Sequence, residues 1–198
     1  MTNDTRQHIL DTGQAIISGK GFSAVGLNEI LKASGVPKGS FYHYFSSKEA
    51  FGEALIESYF TNYLSTVDAL FSKPGLSAAE RLMHYFTYWL ETQTNCDPKG
   101  KCLVVKLAAE VSDLSEAMRV VLGQGTSQAI SRLKDIIQEG IHDKSLPMHL
   151  NPQIVATTLY QLWLGASICA KISHTAAPLE SALVATEELL GLPLQQSH

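Results

Sequence analysis

Apolar residues recur at helical spacing along almost the whole chain, and this period determines the class of fold. Ile9, Leu10, Ile16 and Ile17 follow the helical period, whereas no segment of useful length alternates as a half-buried strand does. Glycine and proline interrupt the period at intervals, as in Lys73-Pro74-Gly75. We therefore predict an all-α protein of about nine helices, in which a three-helix head precedes a larger helical bundle.

These interruptions also set the predicted helix boundaries. The first helix ends near Gly19, the second ends at Gly35, and a short third helix follows Pro37 and reaches about Phe45. The later helices are predicted at Lys48–Phe71, Ser77–Thr94, Cys102–Val111, Ser115–Ile141, Pro152–Ser173 and Pro178–Leu190.

The composition is that of an ordinary globular protein. Of the 198 residues, 45% are hydrophobic and 17% are charged. No apolar run approaches the roughly 18 to 20 residues that a membrane span requires, and the opening MTNDTRQHIL lacks the apolar centre of a secretory signal. Three cysteines without framework spacing favour reduced thiols. We expect a cytoplasmic protein with no membrane association.

The charge is distributed unevenly between the head and the rest of the chain. The net charge is −4, but the first fifty residues hold five Lys/Arg against four Asp/Glu, which leaves +1 there and −5 in the remainder. An acidic body with a slightly basic head suits a protein that contacts phosphate at one end only.

One short segment, GVPKGSFYHYFSSKEAF (residues 35–51), combines aromatic, basic and small residues. On a helical wheel Phe41 and Phe45 share one face, and we expect them to point inward. Tyr42 and His43 fall on the opposite arc with Gly39, which would let the backbone approach a DNA strand. An outward Tyr-His pair has hydrogen-bonding groups suited to base edges or phosphate oxygens.

The second helix, the turn at Gly35 and the third helix together form a helix-turn-helix arrangement. Lys48 opens the next helix, where backbone N–H groups and the helix dipole favour a phosphate. A small helical subdomain with solvated tyrosine and lysine is the alternative. The candidate DNA-binding residues of this segment are Lys38, Gly39, Ser40, Tyr42, His43, Tyr44 and Lys48.

The run G-F-x-A-x-x-L-x-E-I, followed by GVPKGSFYHYF and S-K-E-A-F, resembles the DNA-binding head of the TetR family of bacterial repressors over residues 8 to about 58. The resemblance implies a homodimer that binds a palindromic operator in double-stranded DNA and is released by a small-molecule effector. It also implies a DNA-binding domain over 1–47 and an effector-sensing and dimerisation domain over 48–198. Many members place Ser or Thr at the start of the second helix to contact phosphate. This chain has Gly26-Leu27 there, and Asn28 is the candidate replacement.

Two further segments, GKCLVVKLAAEVSDLSEAMR and LYQLWLGASICAKIS, resemble an electrophile-sensing branch of that family. The resemblance implies that Cys102 senses reactive compounds and that Lys171 belongs to the same site.

The residues themselves also bear on the three thiols. A cysteine that opens a helix near Lys101 and Lys106 should have a lowered pKa, which favours the reactive thiolate. The alternative for Cys102 is a small buried residue. Cys96 is either a resolving thiol or merely exposed, and we expect Cys169 to pack in an apolar helix.

Other kinds of site find little support. The seven histidines are scattered, with no pair at the i, i+4 spacing of a helical metal site, and no nucleophile elbow, phosphate loop or dinucleotide turn is present. We expect no metal, no cofactor and no enzymatic activity, although a thiol-dependent enzyme is a minor alternative. Tyr85 and Trp89 indicate either an aromatic-lined effector cavity or ordinary core packing.

The last two long helices carry apolar residues on more than one face, which predicts that they form the dimer interface as a four-helix arrangement. The residues assigned to that interface are Leu159, Leu162, Trp163, Ala166, Leu179 and Leu183.

Overall fold

The computed structural model describes residues 2–94 and 103–193. Within these ranges it contains nine α-helices and no strand, which confirms the predicted all-α class. The helices are α1 (Thr2–Lys20), α2 (Leu27–Ser34), α3 (Lys38–Tyr44), α4 (Lys48–Phe71), α5 (Ala78–Thr94), α6 (Leu103–Leu114), α7 (Glu116–His142), α8 (Pro152–Ser173) and α9 (Ala177–Leu189).

Local signals account for several helix ends. Ser47 Oγ accepts a hydrogen bond from the Ala50 N–H at 3.0 Å, so its side chain caps α4. Asn151 caps α8 by accepting from the Ile154 N–H at 3.1 Å, and Pro152 occupies the first helical position. Gly35 ends α2 in the left-handed conformation with φ of 67°, which glycine adopts without steric penalty.

The described residues group into two compact units. The first comprises 2–63 with 103–125, and the second comprises 64–94 with 126–193. In the first unit α1 packs against α2, and the buried core includes Ile9, Leu10, Ile17, Ile30 and Phe41. The predicted division of the chain at residue 47 stays a prediction.

The second unit is built around an aromatic core. Here α8 packs against α9, and α5 also contacts α9. Trp163 is fully buried with its ring stacked on Phe86 at a centroid distance of 4.9 Å. Its indole Nε1 donates to Thr186 Oγ1 on α9 at 2.9 Å. This buried hydrogen bond fixes the relative position of α8 and α9.

The turn after α7 caps the start of α5 in the same unit. Asp143 Oδ2 accepts from the Ala78 N–H at 2.9 Å, and Ser145 Oγ accepts from the Ala79 N–H at 3.1 Å. These two acceptors satisfy backbone donors that the first turn of a helix leaves unpaired. Among the described helices, none combines the length and the apolar character that a bilayer-spanning segment needs.

Candidate nucleic-acid interface

The short helix α3 is anchored by the two phenylalanines that the wheel predicted to face inward. Phe41 and Phe45 are buried. Their rings contact that of Phe51 on α4, with centroid distances of 5.5 and 5.2 Å. The prediction for both side chains is confirmed, and the opposite side of α3 is thereby held toward the exterior of the head.

The outward side of α3 carries the polar and basic residues. Tyr42 is 47% exposed, and Lys38 Nζ lies 5.8 Å from the centre of its ring. His43 is exposed and its ring meets that of Tyr44 edge to face at 4.9 Å. Of the other candidates, Gly39 and Asn28 are exposed and Ser40 is half-buried. Contact of these residues with DNA stays a prediction.

Lys48 is anchored in a way that the sequence did not indicate. Its Nζ donates to the backbone oxygen of Phe22 at 2.8 Å and lies 4.6 Å from the centre of the Phe22 ring. Partial burial lowers the pKa of Lys48, while the negative charge of Glu110 acts in the opposite direction. An ammonium has three donors, so the bond to Phe22 is compatible with the predicted phosphate contact.

Glu110 on α6 is a residue of the first unit that the sequence reasoning missed. It accepts hydrogen bonds from the backbone of the loop between α1 and α2. Partial desolvation acts to raise the pKa of Glu110, but the bonds from Ser23 and Phe22 and the charge of Lys106 prevail and hold that pKa below its ordinary value. The available signal was the i, i+4 spacing of Lys106 and Glu110, which is common in helices and points to no particular partner.

The structure describes only some of the residues assigned to effector sensing. Cys96 and Cys102 lie outside the described residues, as does any contact between Cys102 and Lys171. Helix α6 begins at Leu103, the residue after Cys102. Lys171 is exposed in the last turn of α8, and its part in sensing stays a prediction.

Cys169 requires a correction. It is an exposed free thiol rather than a packed side chain. The buried residues of α8 include Trp163, Ala166 and Ser167, and Cys169 points about 120° away from Trp163 on the helical wheel. It therefore falls on the outer side of α8.

Tyr85 and Trp89 belong to a packed aromatic cluster in the second unit. Both are buried, and their ring centroids lie 5.9 Å apart. Trp89 also contacts Tyr160 and Trp163 at centroid distances of 5.9 and 5.8 Å. This geometry is that of core packing, one of the two alternatives for these residues, and an effector cavity beside them stays a prediction.

The residues assigned to the dimer interface need revision. Leu159, Trp163 and Leu179 are fully buried within a single chain, so they offer no surface to a partner. Ala166 is also buried, whereas Leu162 and Leu183 are half-buried. The apolar side chains that α8 and α9 expose are instead Ile154, Ile168, Ile172, Val184 and Leu189.

Two family descriptions match this chain. Residues 9–55 match the bacterial regulatory proteins of the tetR family, and residues 78–186 match the tetracyclin repressor-like C-terminal domain. The chain is 39% identical over 191 residues to the HTH-type transcriptional repressor NemR of Escherichia coli strain K12, covering 96% of each chain. It is 32% identical to the HTH-type transcriptional repressor DhaR of a Mycobacterium species, covering 93% of this chain and 91% of that one.

A solved structure supports the same assignment. The crystal structure of E. coli NemR in its reduced form superposes with a TM-score of 0.90 at 40% identity, covering 97% of this chain and 100% of that one. These relatives are transcriptional regulators rather than enzymes. The head and the body of the chain match the same family, and the similarity to NemR spans nearly its whole length. The chain therefore belongs to the TetR family of bacterial transcriptional repressors and is a NemR-like member of it.

Proposed function

We propose that this repressor acts in the cytoplasm as a homodimer, binds a palindromic operator, and is released by a reactive electrophile or oxidant that modifies Cys102. The observation that carries the proposal is the arrangement of α3. Its buried side holds the helix in place, and its outward side presents a lysine, a tyrosine and a histidine.

The outward side of α3 supplies the chemistry that DNA recognition requires. Lys38, Ser40 and His43 are assigned to base edges, where a well-formed contact contributes about 1–3 kcal/mol of discrimination. Tyr42 and Lys48 are assigned to phosphate oxygens, which fix the orientation of the protein on the duplex.

The exposed apolar residues of α8 and α9 support the dimer. Ile154 and Ile172 are 63% and 75% exposed, and Ile168, Val184 and Leu189 are also exposed. Ile154, Ile168 and Ile172 fall within about 40° of one another on the helical wheel, and exposed apolar surface of this kind marks protein interfaces. A two-fold dimer would present two copies of α3 about 34 Å apart, which is one turn of DNA.

The sensing step is an addition to a thiol. The thiolate sulfur of Cys102 would form a bond to an electron-poor carbon of a quinone or maleimide. The electron pair of the carbon–carbon double bond then moves to the neighbouring atoms, which take a proton from water. Position 102 directly precedes α6, and a helix N-terminus favours the thiolate form. Cys96 is the candidate resolving thiol for oxidation.

The first test measures binding of DNA. Fluorescence anisotropy with duplexes from the regions flanking the protein's own gene should show tight, salt-sensitive binding of the wild type to one duplex. Tyr42→Ala should weaken this binding about tenfold or more, since a hydrogen bond to a charged phosphate, about 1.5–3 kcal/mol, is lost. Tyr88→Ala provides the matched control because Tyr88 is an exposed aromatic residue on α5. Equal affinities for the two variants would refute the assignment of α3.

The second test adds N-ethylmaleimide to the complex with DNA. Wild type, Cys96→Ser and Cys169→Ser should be released, whereas Cys102→Ser should stay bound. Cys169 is the informative control because it is exposed and will react with the same reagent. If Cys102→Ser is released as readily as wild type, a non-covalent ligand near Tyr85 and Trp89 becomes the better account of induction.

A further inference from the structure

The loop between α1 and α2 is held by a carboxylate from a distant helix. Glu110 on α6 uses both of its oxygens, since Oε2 accepts from the Phe22 N–H at 3.0 Å and Oε1 accepts from the Ser23 N–H at 2.6 Å. The Ser23 bond joins residues 87 positions apart in the chain. Bonds to an ionised acceptor are about twice as strong as those between neutral groups, so this pair fixes the backbone of the loop.

The backbone of the loop is shaped to meet this carboxylate. Gly21 has φ of +95°, and a Cβ at this position would lie 3.0 Å from Oε2 of Glu110. Only glycine enters this region of conformation without strain. The turn at Gly21 directs two successive N–H groups toward the same anion, an arrangement that backbone amides adopt around anions in general.

The same face of α6 carries a complementary charge one turn earlier. Lys106 Nζ donates to the backbone oxygen of Gly19 at 3.1 Å, in the last turn of α1. A cation is favoured at a helix C-terminus and an anion is favoured by unpaired N–H groups. Lys106 of α6 therefore contacts the carbonyl end of α1, and Glu110 of α6 contacts the amides of the loop that follows α1.

The first turn of α4 holds the loop from another side. Lys48 Nζ donates to the oxygen of Phe22 at 2.8 Å, so the Phe22 peptide is bonded to Lys48 through its oxygen and to Glu110 through its N–H. Glu49 adds a second link, because it accepts a hydrogen bond from the Ser115 hydroxyl. The loop and the start of α4 are thus fixed to α6 and to the segment that follows it.

We infer that Glu110 is a positioning residue for operator binding, which holds the α1–α2 loop and Lys48 in the arrangement that the head needs to engage DNA. The inference rests on the proposed function in one respect, namely that α3 and Lys48 contact the operator. The inference predicts a change in operator affinity that is opposite in direction to the change expected from charge alone. Removing a carboxylate from a protein that binds a polyanion should strengthen binding or leave it unchanged, whereas loss of a positioning residue should weaken it.

The test compares Glu110→Gln with Asp113→Asn in the full-length protein. Each variant replaces a carboxylate of α6 by the corresponding amide and so makes the same change in charge. Asp113 is exposed on that helix. Glutamine is a good helix former of nearly the same size as glutamate, so α6 should stay intact.

Hydrogen–deuterium exchange on the DNA-free protein reads the contact directly. In Glu110→Gln the amides of Phe22 and Ser23 should exchange about tenfold faster than in wild type, which corresponds to the loss of one charge-assisted hydrogen bond. Operator affinity, measured at one salt concentration, should fall about tenfold in the same variant. Asp113→Asn should exchange as wild type and bind DNA equally or slightly more tightly.

Both the exchange measurement and the affinity measurement can overturn the inference. If exchange at Phe22 and Ser23 is unchanged in Glu110→Gln, the carboxylate does not hold the loop. If exchange is faster but operator affinity matches that of Asp113→Asn, the contact exists but has no part in positioning the head. A wild type that binds no operator refutes the proposed function and the positioning role together, and the exchange result then still shows whether Glu110 holds the loop.

Discussion

The hydrogen bond between Trp163 and Thr186 supports a quantitative prediction about the body of the protein. Thr186 is fully buried. Its Oγ1 accepts from Trp163 Nε1 at 2.9 Å and donates to the oxygen of Ala182 at 2.7 Å. Replacing Thr186 by valine keeps the shape of the side chain but removes the hydroxyl that accepts the hydrogen bond from the indole. The substitution removes both bonds, and the loss at the indole leaves a buried donor without its acceptor.

The size of the effect follows from that loss. A buried N–H left without a partner costs about 1–3 kcal/mol of stability. For a chain of this length each kcal/mol lowers Tm by about 2–4 °C, so Thr186→Val should melt roughly 2–12 °C below wild type. The free energy of unfolding is measured by urea titration with circular dichroism and linear extrapolation. All samples are held at one protein concentration because a dimer is stabilised by mass action.

Two further variants make the result specific to the hydrogen bond. Thr157→Val makes the same substitution on α8 at a position where the hydroxyl bonds only to exposed groups, and it should change stability by less than about 0.5 kcal/mol. Combining Thr186→Val with Trp163→Phe should give less than the sum of the two single effects, because the donor and its acceptor are then both absent. A urea midpoint for Thr186→Val equal to that of wild type would show that the reasoning is wrong.

The other predictions concern pH, salt and assembly. Bonds from the Ser145 side chain and the Ala78 N–H hold the pKa of Asp143 below its ordinary value. The ionised side chain therefore stabilises the folded protein at pH values above the ordinary pKa. This stabilisation is lost as the pH falls through the lowered pKa. Thermal melts should show Asp143→Asn less stable than wild type near neutral pH, with the difference shrinking below about pH 4 and lost as the pH falls through the lowered pKa. Lys48→Ala should reduce the slope of log affinity against log salt by about one, whereas Lys73→Ala should leave that slope unchanged. Ile172→Glu should sediment as a monomer at micromolar concentration, while Met148→Glu, changed at a side chain that is 84% exposed in the loop before α8, should sediment as wild type.

Local signals explain how much of the fold the sequence predicted. The bounds of α4 and α8 match the predicted Lys48–Phe71 and Pro152–Ser173, because a capping residue precedes each helix. Helix α1 begins at Thr2, well before the first apolar pair at Ile9 and Leu10. Its first turns are polar, so the apolar period could not mark where it starts. The inward side of α3 was predictable because two phenylalanines separated by one turn need a core.

The parts of the candidate sites that were missed depend on long-range pairing. A stripe of apolar side chains shows that one face of a helix is buried. It does not show whether that face packs against α9 of the same chain or against a second copy of the protein. For this reason Leu159, Trp163 and Leu179 were assigned to a partner although they are buried within the protomer. Glu110 was missed because its partners lie in a loop 87 and 88 residues away. The residues next to Glu110 in the sequence carry no signal for a contact over that separation.

The discontinuity of the first unit has a consequence for synthesis of the protein on the ribosome. Residues 2–63 emerge well before residues 103–125, which complete the same unit. At about 5–20 residues per second, the 87 positions between Ser23 and Glu110 correspond to roughly 4–17 s of translation. During this interval the amides of Phe22 and Ser23 lack the carboxylate that accepts from them in the folded protein. Lys48 is made early enough to bond the Phe22 oxygen, but the α1–α2 loop acquires its carboxylate only after α6 has been made.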